Sequence, residues 1–191
     1  MKRTFIALDI PSSNEIKECL KTMSGRLNNE KIKWTDPDNL HLTLKFLGDT
    51  KEDLISDISE KLRRISSDLS VFTVLIAGAG VFRNLRDPRI IWLGIQENSI
   101  LAHMKNLIEN NLSPLGFPPE KRGFSPHLTI GRIKFLRDRK NLEELLEIFN
   151  NKTIIKFDVT EIIYYESLLK KEGPEYVPLG RFKFNKETRI K

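Results

Sequence analysis

Hydrophobic and polar residues alternate in two segments of this chain, and both segments carry the tripeptide His-Leu-Thr. Alternation with a period of two is typical of a strand that has one buried face. Residues i and i+2 of a strand lie on the same face, so His41 and Thr43 are predicted to point one way while the leucines beside them enter the core. His127 and Thr129 repeat this arrangement in the second segment. The two segments are Leu40–Phe46 and Pro126–Gly131.

The rest of the chain shows helical and extended patterns in alternation. Apolar residues at helical spacing predict helices at 14–27, from about 50 to 65, at 99–112 and around 142–149. Strands are predicted near the start of the chain and at 32–35, 72–82, 89–95, 154–168 and 176–184. Ser12 and Ser13 offer an N-cap for the first helix, and the stretch 113–123, which contains Pro and Gly, is predicted to be a loop.

The order of these elements indicates an internal duplication. Each His-Leu-Thr strand is followed by a charged helix and then by further strands. A pseudo-twofold pair of lobes would bring the two motif strands to face each other across a cleft. No linker rich in Ser, Gly or Pro divides the halves. We therefore predict an α+β fold, a bilobal duplicated unit that forms one domain over residues 1–191.

Composition and charge add a little to this picture. The chain has 191 residues, of which 39% are hydrophobic and 30% charged, as in an ordinary globular protein. The net charge of +6 suits a polyanionic ligand but favours nucleic acid only weakly. Cys19 is the single cysteine, so neither a disulfide framework nor a cysteine metal site is expected. No apolar run approaches the ~18 residues of a membrane span, and a cytoplasmic monomer is expected.

The two motif histidines are suited to proton transfer. The chain has three histidines in all, and the third, His103, lies in a predicted helix with no Thr nearby and is expected to be structural. Imidazole has an ordinary pKa of about 6.5, so at neutral pH one histidine can be a neutral base and the other a charged acid. A zinc site that used both histidines is disfavoured, because neither motif has a helical pair of histidines or a carboxylate cluster nearby.

These motifs resemble the paired H-x-T-x motifs of the 2H phosphoesterase superfamily. Within it, several segments are similar to the RNA 2',3'-cyclic phosphodiesterases, which are also called 2'-5' RNA ligases. The similar segments are Phe5–Asp9, Asn39–Gly48, Ile91–Gly94, Pro126–Arg132 and Tyr176–Leu179. The resemblance implies antiparallel sheets that line a central cleft, helices on the outside, no cofactor and no required metal.

The resemblance also implies a role for each site residue. His41 would be the proton donor and His127 the proton acceptor, while Thr43 and Thr129 would bind the phosphate together with Arg132. Strict strand alternation, however, puts Arg132 on the face opposite His127. A β-bulge at Gly131 would bring the arginine back to the same face as the histidine.

The expected activity is metal-independent hydrolysis of 2',3'-cyclic phosphate ends of RNA to 2'-phosphomonoesters, with ATP-independent 2'-5' ligation as a second outcome at the same site. The expected partners are RNAs with such ends, and tRNA fragments are one candidate. Two alternatives stay open: a 2H enzyme for a small cyclic nucleotide or ADP-ribose cyclic phosphate, and a binding module without catalysis. Two further groups have a functional and a structural interpretation. They are the basic residues Lys134, Arg137, Arg139 and Lys140, which could guide RNA, and the aromatic residues Phe5, Trp34, Phe82 and Trp92, which could stack on a base or pack in the core.

Overall fold

The structure is a computed structural model that describes residues 1–96, 98–170 and 173–185. The helices are α1 Asn14–Arg26, α2 Leu54–Ser67, α3 Ser99–Leu112 and α4 Arg139–Phe149. The strands are β1 Lys2–Asp9, β2 Lys31–Trp34, β3 His41–Thr50, β4 Phe72–Phe82, β5 Ile90–Ile95, β6 His127–Phe135, β7 Thr153–Val159, β8 Glu161–Leu169 and β9 Pro174–Lys183. The Ser13 side chain accepts a hydrogen bond from the backbone N–H of Ile16, which confirms the predicted N-cap of α1.

The strands form two antiparallel sheets. The four-stranded sheet has the order β3-β1-β8-β9, and the five-stranded sheet has the order β2-β6-β5-β4-β7. Each motif strand, β3 or β6, pairs with the strand that begins its half of the chain, β1 or β5. The next strand in each sheet comes from the opposite half, because β8 joins the first sheet and β4 the second. The duplication is therefore present, but each sheet combines strands from both halves.

The strand predicted over 154–168 is not one strand. It divides at Thr160 into β7, which pairs with β4, and β8, which pairs with β1 and β9. The prediction was wrong at this point because both strands are apolar and the break contains neither Gly nor Pro. An alternating pattern of apolar and polar residues does not indicate where the chain passes from one sheet to the other.

Helices cover the outer faces of both sheets. Helices α2 and α3 contact the four-stranded sheet, while α1 and α4 contact the five-stranded sheet. The core lies between these layers and includes residues of both sheets that are almost fully buried, such as Ile6, Leu93, Leu128 and Ile162. The predicted α+β architecture, with antiparallel sheets and helices outside, is confirmed. Within the described residues, every helix is too short or too polar to span a membrane.

Candidate active site

The two motifs show the predicted alternation of faces. Leu42 and Leu44 of β3 and Leu128 and Ile130 of β6 are at most 1% exposed. Both histidines and both threonines of the motifs, in contrast, are only partly buried. The apolar residues anchor each strand in the core, so the imidazole and the hydroxyl of each motif are presented on the opposite face of the sheet.

A β-bulge in β6 returns Arg132 to the face of His127. Gly131 is paired with Ile91 and Thr129 with Trp92, so Ile130 has no partner in β5. Ile130 and Gly131 are consecutive buried residues, and Arg132 after them is exposed. A Cβ atom added to Gly131 would lie only 3.2 Å from the Trp34 ring and 3.0 Å from the Ile32 side chain. The bulge predicted at Gly131 is thus present, and glycine fits it because the space above is filled.

The same irregularity occurs in β3, which the sequence interpretation did not foresee. Lys45 is paired with Ile6 and Thr43 with Ala7, so Leu44 is skipped as Ile130 is in β6. Phe46 then takes the position that Arg132 has in the second motif, the fifth residue after the histidine. Its side chain is 64% exposed, and its ring lies 6.0 Å from that of Phe5. Phe46 follows His41 at the same spacing as Arg132 follows His127, and this signal could have identified Phe46 from the sequence.

Both histidines are held by the same kind of hydrogen bond. Nδ1 of His41 lies 2.9 Å from the carbonyl oxygen of Asn39, and Nδ1 of His127 lies 2.7 Å from the carbonyl oxygen of Ser125. A carbonyl oxygen can only accept, so each Nδ1 carries the hydrogen and donates. Each imidazole is therefore fixed in orientation, and its Nε2 is left to exchange a proton with a ligand.

Aromatic rings surround the histidines unequally. The His41 ring lies 4.9 Å from the ring of Phe5 and 4.9 Å from that of Tyr176, which meets it edge-on. His127 has Phe82 at 4.5 Å, also edge-on. Burial among these rings lowers the pKa of His41 below its ordinary value, against smaller upward effects of the Asn39 carbonyl and the Asp9 carboxylate. The unliganded site thus favours a neutral His41.

Asp9 belongs to a polar network next to His41. The two residues are directly paired between β1 and β3. The Tyr165 hydroxyl donates to the Asp9 carboxylate, and Arg181 lies 3.5 Å from Asp9 and 2.7 Å from Glu161. Tyr165 and Arg181 both engage the Asp9 carboxylate, and its effect on the His41 pKa is smaller than those of burial and of the Asn39 carbonyl.

Tyr176 lies beside His41 and within electrostatic reach of Arg132, which belongs to the other sheet. It belongs to β9 of the four-stranded sheet and contacts His41. Burial raises the pKa of its hydroxyl, while the positive charges of Arg132 and Arg3 oppose the rise, so both guanidinium groups lie in its vicinity. Strands β3 and β6 also contact each other. The structure thus brings Arg132 of the second motif strand towards the residues around His41.

The other sequence candidates lie elsewhere or have packing roles. His103 is exposed on α3. Arg137, Arg139 and Lys140 are exposed at the start of α4, on a helix that covers the outer side of the five-stranded sheet, whereas Lys134 follows Arg132 on β6. Phe5 is buried, and Trp34 packs over Gly131. Phe82 and Trp92 are partly buried, and Phe82 contacts His127. Among the described residues, no group of three or more His, Cys, Asp or Glu is arranged to hold a metal ion.

Two antiparallel sheets with a histidine motif on each define a duplicated phosphoesterase fold. The chain belongs to the LigT-like phosphoesterase family, whose sequence model matches it twice, over residues 8–92 and 93–176.

Individual relatives match along nearly the whole chain. An RNA 2',3'-cyclic phosphodiesterase of Methanothermobacter thermautotrophicus is 32% identical over 95% of this chain and 98% of its own. The protein with the same description from Thermotoga maritima is 34% identical over 95% of each chain. Among solved structures, E. coli LigT complexed with 3'-AMP has a TM-score of 0.76 at 27% identity, and the match covers 97% of this chain and 99% of that one.

Proposed function

We propose that this protein hydrolyses the 2',3'-cyclic phosphate at the end of an RNA to a 2'-phosphomonoester. The observation that carries the proposal is the matched pair of histidines, each with Nδ1 bonded to a backbone carbonyl and Nε2 left for proton exchange. Relatives described as RNA 2',3'-cyclic phosphodiesterases align over almost their full length and support the same substrate. A module that only binds RNA would need hydrogen-bond donors but not a matched acid and base.

Proton transfer follows from the two imidazoles. In this proposal, Nε2 of His127 takes a proton from water, whose oxygen forms a new bond to phosphorus. The bond from phosphorus to the ribose 3'-oxygen breaks, and Nε2 of His41 donates its proton to that oxygen. The ring opens to a 2'-phosphate, and proton exchange with solvent restores both histidines. His41 must be protonated in the complex, and the negative phosphate beside it favours that state although burial alone disfavours it.

The remaining site residues would stabilise charge on the phosphate. Thr43 and Thr129 present hydroxyl donors from the same strand faces as the histidines. Arg132 adds a guanidinium, which forms short and strong paired bonds with phosphate oxygens. Fixed donors of this kind stabilise the negative charge that builds on the non-bridging oxygens during displacement. With a ribose 5'-hydroxyl in place of water, the same groups would form a 2'-5' phosphodiester without ATP.

The surface around Arg132 favours an RNA over a small cyclic nucleotide. Lys33 of β2 is paired with Arg132, and Lys134 follows on the same strand face; both lysines are exposed. A row of cations beside a phosphate site suits the backbone phosphates of a polynucleotide. Phe46 offers an exposed ring on the corresponding part of the other motif strand, and aromatic rings of this kind stack on unpaired bases.

The reaction can be tested with an oligoribonucleotide that ends in a 2',3'-cyclic phosphate. We expect conversion to a 2'-phosphate product. The rate of conversion should not change after prolonged treatment of the protein with EDTA, because the proposed steps use only protein side chains and water. Products are resolved by chromatography against 2'- and 3'-phosphate standards. A 3'-phosphate product would mean that the 2'-oxygen is the leaving group, and His41 would then be assigned as the base and His127 as the acid. A loss of activity that zinc or manganese restores would replace the mechanism with a metal-dependent one.

Phe46 provides a test of nucleoside recognition. Phe46→Ala is expected to lower kcat/KM for the oligonucleotide by about tenfold, because stacking of a base on an aromatic ring contributes about 1–3 kcal/mol. Phe46→Trp should retain activity, since it keeps a stacking surface. Phe135→Ala is the matched control, because Phe135 is 53% exposed at the far end of β6. Equal activity of Phe46→Ala and the wild type would remove Phe46 from substrate binding.

A further inference from the structure

A cluster of buried charged residues lies behind the first motif strand. Lys45, Lys105 and Glu109 are 2%, 5% and 6% exposed. The Glu109 carboxylate accepts hydrogen bonds from both ammonium groups, and Lys105 also lies 3.3 Å from Glu120. Burial tends to raise the pKa of Glu109, but the bonds and charges of the two lysines outweigh it, so the pKa is lowered and the carboxylate stays charged.

The cluster joins three parts of the fold, namely β3, α3 and the chain segment that precedes His127. Lys45 belongs to β3 at the bulge that follows the first motif, whereas Lys105 and Glu109 belong to α3. The Lys45 ammonium also donates to the carbonyl oxygen of Pro118 at 2.8 Å. Pro118 lies in the segment 116–126, which runs from the 3-10 turn Ser113–Leu115 after α3 to His127 and which we call the approach segment.

Lys105 holds the approach segment at two further points. Besides its bridge to Glu120, its ammonium lies 5.8 Å from the centre of the Phe124 ring. The segment then ends at Ser125, whose carbonyl orients His127. The segment is therefore fixed to β3 at Pro118, through Lys45, and to α3 at Glu120 and Phe124, through Lys105.

The cost of such a cluster suggests a purpose other than stability. Buried ion pairs are often no more stabilising than apolar residues of similar size, because the desolvation of two charges offsets their attraction. The equivalent bulge position in β6 is occupied by Gly131 without any charge. Directional bonds, in contrast to apolar packing, specify one position for the groups they join.

We propose that Lys45 is a positioning residue, which with Glu109 holds the approach segment against β3 and so sets the place of His127 relative to His41. The inference rests on the proposed function, since its main consequence is for proton transfer. A displacement of about 1 Å in a reacting group can lower the rate about a hundredfold. The lysine would thus act through His127 without contacting the substrate.

The test variant is the double substitution Lys45→Met and Glu109→Gln. The amide that replaces the Glu109 carboxylate can still accept a hydrogen bond from Lys105, and Glu120 still balances the Lys105 charge, so no buried charge is left unpaired. With the cyclic-phosphate oligonucleotide, we expect kcat to fall by about tenfold to a hundredfold, with KM within about twofold of the wild-type value. A purely structural role predicts instead a lower melting temperature and unchanged kcat in the folded protein.

Lys2 and Glu166 provide a matched control. Their ion pair of 2.6 Å is partly buried and joins β1 to β8 of the same sheet, away from the approach segment. The double variant Lys2→Met and Glu166→Gln should retain the wild-type kcat. An equal fall in both double variants, or a wild-type kcat in the Lys45 variant, would overturn the proposal.

Hydrogen–deuterium exchange separates this proposal from the proposed function. Exchange in a peptide covering 116–126 should be faster in the Lys45 variant, while peptides from β8 stay unchanged. Glu120→Gln, which removes a half-exposed partner and preserves the buried cluster, should speed exchange in the same peptide to a smaller extent. If the wild type lacked hydrolytic activity, the proposed function would fail and the exchange data would still decide on positioning. Unchanged exchange in both variants would contradict the proposal, even if the Lys45 variant proved too unstable for kinetics.

Discussion

His41→Ala and His127→Ala are each expected to lower kcat by about a hundredfold or more, because each removes one of two proton-transfer groups that cannot replace each other. The structure gives both imidazoles the same anchor, a donated bond from Nδ1 to a carbonyl two residues earlier. The expected loss is one of proton transfer, measured as single-turnover hydrolysis of the cyclic-phosphate oligonucleotide.

His103→Ala is the matched control for this pair. His103 is exposed on α3, so its removal should leave kcat and KM at the wild-type values. Thermal unfolding of all three variants checks that the folded fractions are comparable. Full activity in a folded His41 or His127 variant would remove that residue from the mechanism.

The pH dependence gives a second view of the same histidines. As the proton donor, His41 must be protonated, so activity falls as pH rises through its pKa. Burial lowers this pKa in the free protein, and bound phosphate raises it. The alkaline limb of kcat/KM, which reports the free protein, should therefore lie at a lower pH than the alkaline limb of kcat. Coincident limbs would mean that phosphate does not contact His41, and a flat profile would exclude the acid–base pair.

The motif strands and their faces could be predicted from the sequence because they depend on local pattern. His41 and Thr43 alternate with leucines, and period-two alternation determines which side chains share a face. The bulge at Gly131 was also predictable, since the role that the family resemblance implies for Arg132 required an odd step in the alternation. The bulge in β3, which puts Phe46 on the face of His41, was not predicted. No residue of the first motif had an expected role that conflicted with strict alternation, so that motif taken alone offered no reason to expect a bulge there.

The hydrogen bonds and the course of the chain between sheets could not be predicted. The carbonyl partners of the histidines are backbone atoms of Asn39 and Ser125, whose side-chain identity carries no signal for this contact. The division of 154–168 at Thr160 depends on which strands are free to pair, which is a property of the whole fold. The buried partner of Lys45 lies 64 residues further along the chain, and charge spacing does not show such a pair.

Arg132→Ala is expected to lower kcat/KM by about a hundredfold, because removal of one fixed donor to a developing oxyanion costs about that much. The bulge in β6 puts the guanidinium on the face of His127, and its charge acts on Tyr176, the residue that contacts His41. Arg132 thus lies on the face of His127 in one sheet and near Tyr176 in the other, which is the position expected of a group that binds one phosphate between the two sheets.

Arg132→Lys distinguishes charge from geometry. An ammonium keeps the positive charge but not the planar fork that binds two phosphate oxygens at once, so we expect activity between that of the wild type and the alanine variant. Arg139→Ala at the exposed start of α4 is the control and should retain the wild-type kcat/KM. Equal activity of Arg132→Ala and Arg139→Ala would exclude the guanidinium from phosphate binding. The histidine mechanism would survive that result, because its proton transfers depend on the two imidazoles, and the threonine hydroxyls would then be the remaining candidates for stabilising the phosphate charge.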